Sequence, residues 1–160
     1  MARRVLVALD SSRGAWRAVE FAASVLARVP GARVELLHVL PEDPSYFWDF
    51  GHIMAGTEAS AARRLTEAWQ SSQERRWEAL CRRALQRLTK TGLPESSISR
   101  KFVRSDRGVA DAVLREAESG RFDVVILGRR GHGAAGAAAL GGVALSVLQR
   151  ARGRAVVVAD

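Results

Sequence analysis

The sequence predicts an α/β protein in which helices cover both faces of a parallel sheet, and three observations lead there. Short apolar runs, Val5-Leu6-Val7-Ala8-Leu9 first among them, recur along the chain between polar or glycine- and proline-bearing segments. These runs are nearly continuous rather than alternating, as expected of strands buried on both faces. Between them lie stretches whose apolar residues return at helical spacing, and strands alternating with helices require right-handed crossovers and a mostly parallel sheet.

Val5 to Leu9 is expected as a central strand, ending at Asp10. Ser11 and Ser12 can accept hydrogen bonds from the free amides of a helix start. Trp16, Val19, Ala23 and Leu26 follow at helical spacing until Pro30-Gly31 stops the pattern. Arg33 to Leu40 reads as the second strand, carrying Val34, Leu36, Leu37 and Val39, and Pro41 with Pro44 then forces an irregular connection. From about Thr57 to Thr91 the pattern is helical again, with Ala61, Leu65 and Trp69, then Trp77, Leu80, Cys81, Ala84 and Leu88, on one face. The polar stretch Gln70-Ser71-Ser72-Gln73 interrupts that stripe, which leaves one long helix or a kinked pair. Ile98 to Val103 is a weaker third strand, Val109 to Glu118 a third helix, and Val124 to Leu127 a very apolar fourth strand ended by Gly128. A glycine-rich connection, a helix from about Gly142 to Arg150 and a last strand, Ala155 to Ala159, complete five strands with intervening helices.

The 160 residues match one domain spanning 1–160, with no internal repeat and no low-complexity tract. No apolar stretch approaches the ~20 residues of a membrane-spanning helix, and Met1-Ala2-Arg3-Arg4 leads straight into a short apolar run, so a cytoplasmic protein without a signal peptide is expected. Cys81 is the single cysteine, which excludes an internal disulfide and a cysteine-based zinc cluster; its half-apolar helical surroundings suit an inert packing residue. The formal charge of +8 fits an anionic partner such as nucleotide, nucleic acid or membrane surface, and fits equally well a compositional bias towards arginine and alanine.

In sheets of this kind ligands sit beyond the carboxyl ends of the strands where the strand order reverses, so Asp10, Val39 and Gly128 should surround one crevice. The informative stretch there is Gly128-Arg129-Arg130-Gly131-His132-Gly133, then an alanine-rich linker to Leu140-Gly141-Gly142-Val143. It joins a buried strand to a helix. Glycines permit positive φ and remove the side chain, so backbone amides can approach phosphate oxygens, and the helix start adds free N–H groups and about half a positive charge. On glycine content alone the stretch reads equally as a flexible turn. Asp10 also fits a helix N-terminal acid. His132 fits a solvated loop residue as well as a phosphate contact, whereas His38 and His52 read as structural. Tyr46-Phe47-Trp48-Asp49-Phe50 gathers aromatic side chains that could fold over the crevice, meet a partner or plug the edge of the core.

Gly128-x-x-Gly131, nine residues, then Gly141, is similar to the nucleotide-binding signature of the ATP-binding universal stress proteins. The likeness extends to Val7-Ala8-Leu9-Asp10-Ser11-Ser12, Glu35-Leu36-Leu37-His38-Val39, Asp123 to Gly128 and Ala155 to Val158, and so covers the chain outside Pro41 to about Gly56. The resemblance implies a five-stranded Rossmann-like parallel sheet of order 3-2-1-4-5, a homodimer joined through the last strand, Ala155 to Ala159, and bound ATP, with magnesium. It implies Asp10 near the ribose, Val39 against adenine and Leu9 among the nucleotide-binding residues. Leu127, Gly128, Arg130, Gly131, His132, Gly133, Gly141, Gly142 and Val143 would follow along the nucleotide and its phosphates. Gly142 departs from the pattern, which expects serine or threonine; Arg129 or Arg130 could supply charge in place of the missing hydroxyl.

A dinucleotide enzyme would want Gly-x-Gly-x-x-Gly after the first strand, where this chain has Asp10-Ser11-Ser12-Arg13-Gly14, and a phosphate-loop hydrolase would need Gly-x-x-x-x-Gly-Lys-Ser/Thr, which is absent. No nucleophile, base and orienter stand together, which leaves at most slow hydrolysis of bound ATP. The expected function is that of a nucleotide-binding regulator in the stress response. Two alternatives remain: an interaction module of the same fold with a degenerate pocket, and a basic nucleic-acid binder.

Overall fold

The computed structural model describes residues 3–40, 57–105, 107–131 and 140–160. Five strands form one parallel sheet: β1 (Arg4–Ala8), β2 (Arg33–Leu40), β3 (Ile98–Arg104), β4 (Val124–Gly128) and β5 (Ala155–Ala159), in the order β3-β2-β1-β4-β5. Four helices connect them: α1 (Arg13–Leu26), α2 (Thr57–Lys90), α3 (Val109–Ser119) and α4 (Gly142–Arg150), with one 3-10 turn, Glu95–Ser97, ahead of β3. Val5 stands opposite both Val34 of β2 and Val124 of β4, so the run read as a central strand is flanked on both edges.

The sheet is buried on both faces because each inner strand carries apolar side chains in both directions. Val5, Val7, Leu9, Val34, Leu36 and Ile126 pack under α1 and α2. Leu6, Leu37, Val39, Val125 and Leu127 pack under α3 and α4. Helix α1 approaches closely because its inner face is built mostly of alanines: Ala15, Ala18, Ala22 and Ala23 are all buried. Ser12 caps it, its Oγ accepting the Ala15 N–H at 3.1 Å. Helices α1 and α4 lie on opposite faces, so the strand order switches between β1 and β4, and in such sheets ligands sit beyond the carboxyl ends of the strands at that switch.

Helix α2 is a single 34-residue helix rather than a kinked pair. Its downstream part supplies Trp77, Cys81, Ala84 and Leu88 to the core, and the ring of His38 stacks on Trp77 at 5.0 Å. Burial pushes the Cys81 thiol pKa up, in keeping with an inert packing residue. The upstream part corrects the expected stripe. Leu65 is 63% exposed, Trp69 is half-buried, and no described residue from 60 to 76 is buried. Periodicity identified the apolar face, but nothing in it guarantees that the sheet extends far enough to meet that face. The aromatic run 46–50 and His52 lie outside the described residues.

The two edges of the sheet differ. β3 carries Ser99, Arg100, Lys101 and Arg104 outward, as a protected edge does, whereas β5 offers only alanine and valine. Among the described residues no helix is long and apolar enough to cross a membrane.

Candidate functional site

The site is built on a contact between two glycines. A Cβ placed on Gly128 at the end of β4 would lie 2.1 Å from the carbonyl carbon of Gly14 in α1, and one on Gly14 would lie 2.0 Å from the Arg130 oxygen. The first turn of α1 therefore rests directly on the backbone that leaves β4. None of Gly128, Gly131, Gly141 and Gly142 has a positive φ, so of the two properties that glycine offers it is the missing side chain that these positions use. At Gly128 and Gly141 the requirement is close approach: a Cβ on Gly141 would meet the Arg129 oxygen at 3.3 Å and Arg130 Cα at 3.4 Å.

Hydrogen bonds fix this geometry. Asp10 Oδ1 accepts the Ser12 N–H at 2.7 Å, closing the turn between β1 and α1, while its Oδ2 faces Gly131, 3.3 Å from where a Cβ would stand. Asp10 thus supports the helix start and faces the β4 turn. Ser12 Oγ also donates to the Arg130 carbonyl at 3.4 Å. The Arg129 N–H donates to Ala159 of β5 at 2.8 Å, and its carbonyl accepts the Gly141 N–H at 2.9 Å. One residue thereby ties the end of β5 to the start of α4.

Gly141 is the N-cap of α4, and no described side chain caps that helix. Gly142 and Val143 are exposed there, with nothing within 4 Å of a Cβ on Gly142. The amides of the first turn, together with the positive end of the helix dipole, suit an anion. Leu9, just past the end of β1, is buried on the α1 face; its N–H donates to Leu37 at 2.8 Å, and its carbonyl accepts from His38 Nδ1 at 2.7 Å. That bond places the proton on Nδ1 and, with the stack on Trp77, makes His38 structural. Val39 and Leu127 are 8% and 3% exposed and belong to the core on the α3 and α4 face.

Asp10, Gly128, Arg130, Gly131 and Gly141 are thus brought into one contact set, with Leu9 on the α1 face of the sheet, Leu127 and Val39 on the α4 face and Gly142 and Val143 at the start of α4. His132 and Gly133 lie outside the described residues. Two participants escaped the sequence reading. Gly14 had a signal, a glycine four residues after the strand-end acid. Asp160, which binds Arg17 of α1 at 2.9 Å and also Arg129, belongs to no motif. Among the described residues no group of three or more histidine, cysteine, aspartate or glutamate side chains could hold a metal ion.

The chain was compared with known proteins. The family model described as universal stress protein family matches residues 1–159. Among solved structures, universal stress protein UspA from Lactobacillus plantarum is 19% identical, with a TM-score of 0.73, over 99% of this chain and 97% of that one. A universal stress protein family protein from Arabidopsis thaliana with AMP bound is 16% identical, with a TM-score of 0.63, over 99% and 92%. The universal stress protein from Archaeoglobus fulgidus in complex with dAMP is 18% identical, with a TM-score of 0.54, over 100% and 98%. At these identities the likeness shows the fold. No curated protein matches. With the family model spanning all but the last residue and the sheet in the order that the signature implied, this chain belongs to the universal stress protein family.

Proposed function

We propose that this chain is a cytoplasmic regulator of the stress response that binds an adenine nucleotide between the β4 turn and α4, ATP with magnesium being the expected ligand. The observation that carries this reading is the contact set itself: Asp10 against Gly131, Gly141 against Arg129 and Arg130, and an open helix start at Gly142. A polyphosphate would lie along the amides of Gly131 and of 141–143, with His132 and Gly133 of the same turn beside it. The nucleoside would rest over Leu9, Asp10, Val39 and Leu127. That relatives in the family are found with AMP and dAMP supports an adenine ligand. Bound nucleotide acts as a regulator only by as much as its affinity differs between two states of the protein or of its assembly.

The β5 edge suggests what is assembled. It is apolar along its length, with Phe21 and Val25 of α1 exposed on the same helix as Arg17, which pairs with Asp160 at the end of β5, and Leu145 and Leu148 exposed on α4. A second copy pairing along β5 would cover these side chains and satisfy the open edge, giving a homodimer.

Calorimetry with magnesium-ATP and with AMP tests the nucleotide reading: saturable heat at sub-millimolar nucleotide is expected. No heat, together with a dimer in sedimentation, would leave the interaction-module alternative. Steep salt-dependent retention of DNA or RNA would favour the nucleic-acid alternative.

A further inference from the structure

Asp160 follows β5 directly and stands where α1, the β4 turn and β5 meet. Its Oδ1 accepts from Arg17 Nη1 at 2.9 Å and its Oδ2 from the guanidinium of Arg129, the second residue of the Gly128–Gly131 turn. The hydrogen bond from Arg129, and then the charges of Arg129, Arg17 and Arg130, hold its carboxyl pKa below the usual aspartate range.

This carboxylate is not needed to hold the turn. The Arg129 backbone is already fixed by its bonds to Ala159 and Gly141, and Gly128 is locked on Gly14. The side chain of Asp160 is 57% exposed, and those of its partners Arg17 and Arg129 are 50% and 32% exposed; ion pairs to a carboxylate so open to water stabilise a fold little. What remains is a charge relationship. Arginines gathered on one carboxylate beside a phosphate-binding turn form an anion site with an occupant, and the fork of a guanidinium that takes a carboxylate takes a phosphate equally well.

We propose that Asp160 is an internal counter-anion of the phosphate turn, a specificity-determining residue whose carboxylate occupies Arg129 and must be displaced by the phosphate tail of an incoming nucleotide. The inference rests on the nucleotide reading above. Its consequence is selection by charge: the carboxylate opposes every anion that approaches, and opposes a triphosphate more than a monophosphate. Specificity then arises from a repulsive element rather than an added contact.

The test is calorimetry of ATP, AMP and adenosine on the full chain, its Asp160→Asn variant and its Asp160→Glu variant. Asp160→Asn is expected to bind ATP about three- to tenfold more tightly and AMP by a smaller factor, to leave adenosine unchanged, and to lose the gain as salt is raised. Asp160→Glu keeps the charge and should follow the wild type. Equal or weaker ATP binding by Asp160→Asn, with adenosine still bound, overturns the counter-anion and leaves the nucleotide site standing. The same holds if Asp160→Glu gains affinity as the amide does. Absence of heat from all three ligands in all three proteins overturns the nucleotide site, and this inference with it.

Discussion

Gly14 and Gly128 touch backbone to backbone, with 2.1 Å between the carbonyl carbon of one and the position a Cβ would take on the other. A methyl group at Gly128 has backbone rather than a movable side chain in its way, so α1 must lift from β4. Gly128→Ala should lower the unfolding free energy by about 1–3 kcal/mol, the usual cost of forcing extra volume into packed structure, and should abolish nucleotide binding. Urea unfolding and calorimetry read the two effects. Wild-type stability would show that the two backbones separate freely.

Ser12 is the second support of the same corner. Its Oγ takes the Ala15 N–H at 3.1 Å and reaches the Arg130 carbonyl at 3.4 Å. Ser12→Ala is expected to cost about 1 kcal/mol through the lost cap, whereas Ser12→Asn, which can cap, should recover most of it. Denaturant midpoints at a constant m-value are the measurement.

Gly142 offers the opposite case, since a Cβ there meets nothing within 4 Å. Gly142→Ser should fold as the wild type does or slightly better, because serine is favoured over glycine within a helix by a few tenths of a kcal/mol. It should bind ATP about ten- to a hundredfold more tightly, the worth of one hydrogen bond to a charged group. An unchanged or weaker dissociation constant would place the phosphates elsewhere.

Glu35 of β2 sets a pH dependence. Its Oε2 accepts from Ser99 Oγ at 3.2 Å, while Oε1 is buried with no hydrogen-bond partner among the described residues. Across from it Glu116 of α3 is paired with Lys101 at 2.8 Å. Burial, and then the neighbouring Glu116 charge, push the Glu35 carboxyl up; Lys101 and Ser99 oppose that only in part. A carboxyl raised in the folded state keeps a proton that the unfolded chain gives up, so its contribution is present in acid and is lost as pH rises through the folded value. Glu35→Gln should therefore raise the melting temperature at pH 7–8, and the gain should vanish below about pH 4, where both forms are neutral. A gain of equal size at every pH would mean that ionisation is not its cause.

The strand pattern was legible because burial on both faces writes itself as unbroken apolar runs, and Val5 to Leu9, Val124 to Leu127 and Ala155 to Ala159 could be little else. The candidate site was legible in part: Asp10 lies against Gly131, and Gly141 against Arg129 and Arg130 of the same turn. What sequence could not supply was which segments cross. Gly14 reads in isolation as a weak helix residue, and only its contact with Gly128 gives it a reason. The same limit applies to the site glycines, since composition cannot tell a φ requirement from a close approach. It explains Leu65 too, because a helical stripe names a face without naming what covers it. Asp160 had no pattern at all; its role comes from two arginines distant in the chain.

Helix α2 has a further consequence. At 1.5 Å per residue its 34 residues span roughly 50 Å, yet among its described residues the buried ones begin only at Trp77. Amides near Ala84 and Leu88 can exchange with solvent only when the core opens, whereas those from 63 to 76 lie in a stretch with no buried described residue and should open more readily. A single unbroken helix should therefore divide into slow and fast exchanging halves, with Trp77 as the point at which local unwinding gives way to global unfolding.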